Sequence, residues 1–75
     1  MKTIEIKAPI QSLISEINVE IDQKIEVDDI LLIFEVMKTR NEILAETTGV
    51  VKQILVSVDD LVDTDQVLMT IEVDD

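Results

Sequence analysis

The chain repeats itself once, and this internal repeat limits the possible folds more than any other feature of the sequence. Residues 14–35 align with residues 51–72 without a gap, at a constant offset of 37 positions. Two copies of one supersecondary unit predict a domain with pseudo-twofold symmetry. The identical pairs are Ile17/Ile54, Val19/Val56, Asp22/Asp59, Asp28/Asp65, Leu31/Leu68 and Glu35/Glu72.

Both copies have the residue pattern of short β-strands. Apolar side chains alternate at Ile17, Val19 and Ile21, which is typical of a half-buried strand. The continuous apolar run 30–34 is suited to a buried strand, and β-branched residues dominate the apolar content. Aspartate pairs at 28–29 and 59–60 indicate turns, because aspartate tolerates left-handed backbone. We predict strands at residues 3–8, 13–19, 24–27, 31–36, 42–46, 50–58, 61–63 and 67–73.

These strands predict an all-β domain that spans residues 1–75. Two facing four-stranded antiparallel sheets, or a flattened β-barrel, would bury the inward side chains of both repeats in one core. No stretch is rich enough in Gly, Pro and Ser to form a flexible linker. We therefore expect a single domain with pseudo-twofold symmetry.

Composition excludes several classes of function. Cysteine and histidine are absent, so disulfides, thiolate metal sites and the commonest general base are unavailable. The net charge of −11 disfavours contact with nucleic acids and anionic membranes. No apolar stretch approaches the roughly 20 residues of a membrane span. We expect a non-catalytic cytoplasmic protein that is monomeric in isolation and holds no metal.

The segment 34–43, Phe-Glu-Val-Met-Lys-Thr-Arg-Asn-Glu-Ile, contains the most informative departure from local rules. Its two strand-like halves predict a tight hairpin with Met37 and Lys38 at the tip, where Asn-Gly or Asp-Gly is preferred. Departures of this kind concentrate at functional sites. At the offset of 37, the repeat equivalent of Lys38 is Asp75 at the chain end. Pseudo-twofold symmetry places equivalent positions at opposite ends of the domain, so we expect Lys38 to lie far from both termini.

The segment Glu35-Val36-Met37-Lys38-Thr39 resembles the attachment signature of biotinyl domains, Glu-(Ala/Val)-Met-Lys-Met. These domains are the carrier modules of biotin-dependent carboxylases and decarboxylases. The resemblance extends over nearly the whole chain. Upstream, Ala8-Pro9-Ile10 is similar to the Ala-Pro-Met opening of the family, and downstream the matching residues are Ile43, Ala45, Gly49 and Val51.

The resemblance implies a flattened barrel of two four-stranded sheets, the barrel-sandwich hybrid, with biotin as a covalent cofactor on Lys38. Met37 would mark the site, and Glu35, Val36 and Thr39 would complete the recognition sequence. The implied partners are a biotin protein ligase, a biotin carboxylase, and a carboxyltransferase or decarboxylase. The carrier would move carboxyl groups between the last two active sites without catalysing either reaction.

Two alternatives remain open at this stage. A lipoyl carrier domain shares the implied fold and a hairpin lysine, but it usually has Asp-Lys where this chain has Met37-Lys38. An unmodified structural or interaction module is the other alternative. Thr39 replaces the usual Met of biotinyl domains, and the family's usual glycines are replaced at Ser12, Asp22, Asp28, Asp59 and Asp65.

Overall fold

The computed structural model describes residues 2–73, and they form eight β-strands. The prediction of an all-β fold with eight short strands is confirmed. No helix among these residues is long and apolar enough to cross a membrane. The strands are β1 (Lys2–Lys7), β2 (Ser12–Ile17), β3 (Lys24–Ile25), β4 (Ile30–Val36), β5 (Thr39–Leu44), β6 (Gly49–Ile54), β7 (Leu61–Val62) and β8 (Val67–Val73).

The strands form two antiparallel four-stranded sheets that enclose a single core. The terminal sheet, which contains the first and last strands, has the order β1-β8-β6-β3, and the hairpin sheet has the order β5-β4-β2-β7. Each sheet therefore receives strands from both halves of the chain. This exchange explains why neither half could bury its apolar face alone, as expected for paired repeats.

The structure extends the repeat over the whole described chain. Strands β1 to β4 correspond to β5 to β8 at the same offset of 37 residues, and the corresponding strands have equal lengths. The β-bulge in β2 between Ile14 and Glu16 recurs in β6 between Val51 and Gln53. The alignment of residues 14–35 with residues 51–72 did not include β1 and β5. Identical residues do occur at equivalent positions in and just after these two strands: Glu5/Glu42, Ile6/Ile43 and Ala8/Ala45. Asp75, the predicted repeat partner of Lys38, lies outside the described residues.

The core consists largely of repeat-equivalent pairs from the two sheets. Leu31 and Leu68 are both buried, and Phe34 occupies the position that Ile71 occupies in the second half. A fully buried aliphatic side chain contributes roughly 1.5–3 kcal/mol relative to exposure. Equal contributions from both halves are therefore expected. The other buried pairs are Ala8/Ala45, Ile14/Val51, Val19/Val56, Ile25/Val62 and Leu32/Met69.

Four turns with an aspartate in left-handed conformation connect the short strands, and we call them the acidic turns. Their φ angles are 72° at Asp22, 74° at Asp28, 76° at Asp59 and 66° at Asp65. The left-handed backbone at Asp28 and Asp59 confirms the turns predicted from the aspartate pairs at 28–29 and 59–60. In each turn the aspartate N–H donates to a carbonyl oxygen of the adjacent chain segment; the acceptors are Val51, Ala45, Ile14 and Ala8, at 2.7, 2.8, 2.8 and 2.8 Å.

Gly49 differs from its repeat equivalent Ser12 in how closely its backbone packs. A Cβ atom at Gly49 would lie 2.6 Å from the Glu72 carbonyl oxygen and 2.8 Å from Ile71 Cγ2. Ser12 is buried, and its hydroxyl donates to the Ile10 carbonyl oxygen at 3.0 Å. Glycine is therefore required by close packing in the second half, whereas the first half accommodates a side chain.

Most strand boundaries lie within two residues of the predictions, and the two exceptions are the start of β5 and the end of β6. Strand β5 begins at Thr39 rather than at residue 42, because the two-residue hairpin allows pairing to start immediately after the turn. Strands β2 and β6 end at Ile17 and Ile54, two and four residues earlier than predicted. Val19 and its equivalent Val56 remain buried beyond the strand ends, so the apolar alternation continues after the ladder stops.

Candidate functional site

Met37 and Lys38 are the two central residues of the hairpin between β4 and β5. The last backbone pair before the turn joins Val36 to Thr39. Both central residues have positive φ, 49° at Met37 and 68° at Lys38. Positive φ at both central positions is the property of a type I′ turn, whose twist matches that of the flanking strands. The tight hairpin predicted from the sequence is therefore present, with two non-glycine residues in left-handed conformation.

The turn holds both side chains in solvent. Met37 is 92% exposed, which is the largest exposure among the big apolar residues, and Lys38 is also exposed. The ion pairs among residues 2–73 join Lys7 to Glu5, Lys52 to Asp22 and Arg40 to Glu16. Lys38 takes part in none of these pairs. Its primary amine is therefore free to enter the active site of another protein and act there as a nucleophile.

The other predicted site residues lie along the two strands that support the tip. Val36 is half-buried against the core, and Thr39, opposite it, is exposed. Glu35 is half-buried and lies opposite Leu13 on one side and Arg40 on the other. The structure thus brings Met37 and Lys38 together at the tip, whereas Glu35 lies behind them within the sheet.

Arg40 lies two residues after Lys38 and joins the tip end of β5 to β2. Its guanidinium donates a hydrogen bond to the Glu16 carboxylate on β2, so the contact crosses strand β4. The repeat equivalents of these residues are Thr3 and Gln53, which cannot form an ion pair. An exposed pair of this kind contributes up to about 1 kcal/mol. The contact was not predictable from spacing, since the partners are 24 residues apart.

Three grooves on the surface of residues 2–73 contain neither Met37 nor Lys38. One of them lies between β5 and the segments that contain Lys7, Pro9 and Val27. No cluster of three or more acidic side chains among residues 2–73 could hold a metal ion. The candidate site is therefore a projection that can be enclosed by a second protein, rather than a pocket that encloses a substrate.

A comparison with protein families finds one whose description is "Biotin-requiring enzyme", the biotin/lipoyl family. The match covers residues 4–71, which includes the hairpin, six of the eight strands in full and most of the other two. A comparison with curated protein sequences finds no significant match.

Solved structures of similar fold come from two kinds of protein. A single-chain, multi-domain long-chain acyl-CoA carboxylase matches with a TM-score of 0.86 and 19% identity over 92% of this chain. Kluyveromyces lactis urea carboxylase matches with a TM-score of 0.87 and 21% identity over 96% of this chain. The match spans only 7% and 6% of those two proteins.

The third structure is the lipoyl domain of the 2-oxoglutarate dehydrogenase complex from Azotobacter vinelandii. It has a TM-score of 0.82 and 24% identity, and the match covers 92% of this chain and 95% of that domain. All three identities are low, so these structures establish the fold alone. Together with the family match over nearly the whole chain, they lead to one conclusion: this chain belongs to the biotin/lipoyl attachment domain family.

Proposed function

We propose that this chain is a biotin carrier domain that is biotinylated on Lys38. The observation that carries the proposal is the hairpin tip, where both residues of a left-handed Met37-Lys38 pair are exposed. Left-handed conformation costs an ordinary residue roughly 1–2 kcal/mol, and an Asn-Gly turn would avoid much of that cost. A chain that keeps methionine and lysine there uses both side chains for something other than folding.

The exposed tip fits the attachment of a carboxylic acid such as biotin. The neutral Lys38 amine attacks the acyl carbon of an activated acyl-adenylate that the ligase holds. An amide C–N bond forms, the C–O bond to AMP breaks, and AMP leaves with that electron pair. A free lysine amine is protonated at neutral pH, so the ligase must accept the proton, because no histidine or cysteine is present on this chain.

Met37 is the reason for preferring biotin over lipoate. Its side chain is 92% exposed, so core packing does not explain an apolar residue at this position. Lipoyl domains usually have aspartate immediately before the lysine. An exposed methionine offers a neutral, flexible thioether contact to a ligase, and its replacement by a carboxylate would change the charge at the point of contact.

The chain itself would catalyse nothing. Biotin supplies a ring nitrogen that can carry a carboxyl group. Lys38 supplies the point of attachment, and the hairpin keeps that point clear of both sheets. A biotin carboxylase would load the carboxyl group, and a carboxyltransferase or decarboxylase would remove it. Tethering raises the local concentration of the carried group at each active site, provided that the arm reaches both.

The proposal is tested by the intact mass of the protein after expression with an active biotin protein ligase. We expect a gain of one biotinyl group, and peptide mapping should place it on Lys38. Lys38→Arg should abolish the gain. Lys24→Arg, at another exposed lysine, is the matched control and should leave it unchanged. Biotin on another lysine, or no biotin in the presence of an active ligase, would contradict the proposal.

A lipoyl carrier is the second candidate function. The lipoyl domain is the one structural neighbour among the three that this chain matches over nearly the full length of both proteins. Expression with a lipoate ligase in place of the biotin ligase distinguishes the two candidates by the mass of the added group. The absence of both modifications would instead favour an unmodified interaction module.

A further inference from the structure

The outer faces of the two sheets are equivalent by the repeat, yet their side chains differ. On the hairpin sheet, one row runs from Leu61 through Leu13 and Glu35 to Arg40. On the terminal sheet the same row is Lys24, Val50, Glu72 and Thr3. The next row runs Glu16, Ile33 and Glu42 on the hairpin sheet and Gln53, Thr70 and Glu5 on the terminal sheet. We call the two rows of the hairpin sheet the hairpin-side face; its residues are Leu13, Glu16, Ile33, Glu35, Arg40, Glu42 and Leu61.

The hairpin-side face is more apolar than the fold requires. Leu61 is 78% exposed, and its equivalent on the terminal sheet is Lys24. Ile33 is half-buried and corresponds to Thr70. Lys24 and Thr70 occupy the equivalent positions on the terminal sheet, so packing within the fold does not require leucine at position 61 or isoleucine at position 33. Exposed apolar patches with a polar rim commonly mark binding surfaces.

Carboxylates surround this apolar patch. Glu16 and Glu42 flank Ile33 within its row, and the exposed Asp60 and Asp63 lie next to Leu61 along the chain. Arg40, the one cation of this face, is already paired with Glu16. A complementary partner must therefore present an apolar contact surrounded by lysine or arginine side chains. A second copy of this chain would bring two acidic rims together, which like-charge repulsion disfavours.

The position of the hairpin-side face, close to Lys38, indicates which partner would contact it. Glu35 lies two residues before the hairpin turn, roughly 7 Å along the strand, so this end of the face is the part of the hairpin sheet nearest to Lys38. An enzyme that acylates Lys38 must bring its active site to the lysine Nζ, so its surface also covers the nearest part of the hairpin sheet. Enzymes that act on the far end of the attached group can remain further away.

From these observations we infer that the hairpin-side face is the docking surface of the ligase that acylates Lys38, and that the ligase contacts it through an apolar patch ringed by basic residues. This inference rests on the proposed function. It assigns a role to Leu61 and Ile33, neither of which lies in the attachment sequence.

The test transfers residues between equivalent positions of the two sheets. Leu61→Lys and Ile33→Thr introduce the residues that the terminal sheet already has, so both variants should fold. Leu61→Gln removes the apolar side chain without adding charge, and provides the same test if Leu61→Lys fails to fold. Thr3→Lys adds an equal charge to the outer face of the terminal sheet and is the matched control.

The measurement is the initial rate of biotinylation as a function of carrier concentration, with purified biotin protein ligase, biotin and MgATP. We expect Leu61→Lys combined with Ile33→Thr to raise KM for the carrier by about tenfold. The kcat should stay within about twofold, because the lysine and its turn are unchanged. For wild type, KM should rise with ionic strength, since the proposed contact is partly electrostatic.

Each outcome decides a different question. An unchanged KM in a folded double variant contradicts this inference but leaves the proposed function intact. No labelling of wild type by an active biotin ligase contradicts both. An equal rise of KM for Thr3→Lys shows that net charge alone is responsible, which overturns the docking surface. Wild-type dimers in sedimentation that Leu61→Lys dissociates, with KM unchanged, show that the occupant of the face is a second copy.

Discussion

The hairpin tip and the four acidic turns place non-glycine residues in the same left-handed region of backbone space, but they differ in what holds them there. In the acidic turns, each aspartate N–H donates to a carbonyl oxygen of an adjacent segment, as in the 2.8 Å contact between Asp28 and Ala45. At the tip, no backbone hydrogen bond outside the strand ladder, and no side-chain hydrogen bond or ion pair, involves Met37 or Lys38 among residues 2–73.

The acidic turns also close on themselves through side chains. The Asp29 carboxylate accepts a hydrogen bond from the Glu26 N–H at 2.8 Å, and Gln66 accepts one from the Asp63 N–H at 3.0 Å in the equivalent turn. Local bonds of this kind stabilise turns that lack glycine. The comparison indicates that hydrogen bonds to neighbouring residues hold the acidic turns, whereas the proposed attachment site accounts for the left-handed residues at the tip.

The largest expected effect is on the free energy of unfolding, which core substitutions should lower and a substitution at the hairpin tip should not. Leu31→Ala and its repeat equivalent Leu68→Ala should each lower the free energy of unfolding by about 2–5 kcal/mol, because both side chains are fully buried. Lys38→Arg should leave it unchanged. Chemical denaturation of the three variants provides the measurement. A loss from Lys38→Arg as large as that from a core truncation would show that the lysine is structural.

A second substitution tests the difference between the tip and the acidic turns. Replacing Met37 by Asn and Lys38 by Gly gives the favoured turn residues, so the free energy of unfolding should rise by about 1–2 kcal/mol while labelling is lost. Asp28→Gly is the matched change in an acidic turn. Aspartate already tolerates left-handed backbone better than methionine or lysine, so Asp28→Gly relieves less strain. The greater freedom of the unfolded chain that glycine brings should offset most of this relief. Equal gains at both sites in thermal unfolding would contradict the distinction.

Most of the fold was predictable from the sequence, because the repeat and the apolar alternation are strong local signals. Eight strands and two sheets follow from them, and the left-handed aspartates follow from turn chemistry. The ends of β2 and β6 were not predictable, since Val19 and Val56 stay buried after the strands have ended. Hydrogen-bonded pairing ends before the apolar pattern does, and single-sequence reasoning detects only the pattern.

The site was only partly predictable for a related reason. Met37 and Lys38 break a local rule, so the sequence reveals them. The ion pair of Arg40 with Glu16 and the face around Leu61 depend on which strands are neighbours, and strand order is a property of the whole fold. Comparison of repeat-equivalent positions, such as Leu61 with Lys24, is a sequence signal that could have identified the face once the repeat was known.

A third prediction tests whether Met37, at the hairpin tip, contributes to biotinylation rather than to folding. Met37→Asp should lower the initial rate of biotinylation by at least about tenfold, equivalent to roughly 1.4 kcal/mol in transition-state stabilisation. Asp also tolerates left-handed backbone, so the turn itself should persist. Thr39→Met should leave the rate unchanged or raise it. Rates with biotin and lipoate ligases for all three proteins provide the measurement, and efficient lipoylation of wild type would contradict the preference for biotin.

The smallest expected effect concerns the charges of the acidic turns. The chain carries 17 acidic and 6 basic residues, so repulsion among carboxylates opposes the compact state. Moderate salt should raise the thermal midpoint, because the screening length falls to about 10 Å at 0.1 M. Asp28→Asn and Asp65→Asn together remove two charges but keep side chains that tolerate left-handed backbone. The double variant should therefore respond less to salt than wild type does. An equal response would show that the repulsion arises elsewhere, and that the acidic turns contribute to stability through their hydrogen bonds without a measurable electrostatic penalty.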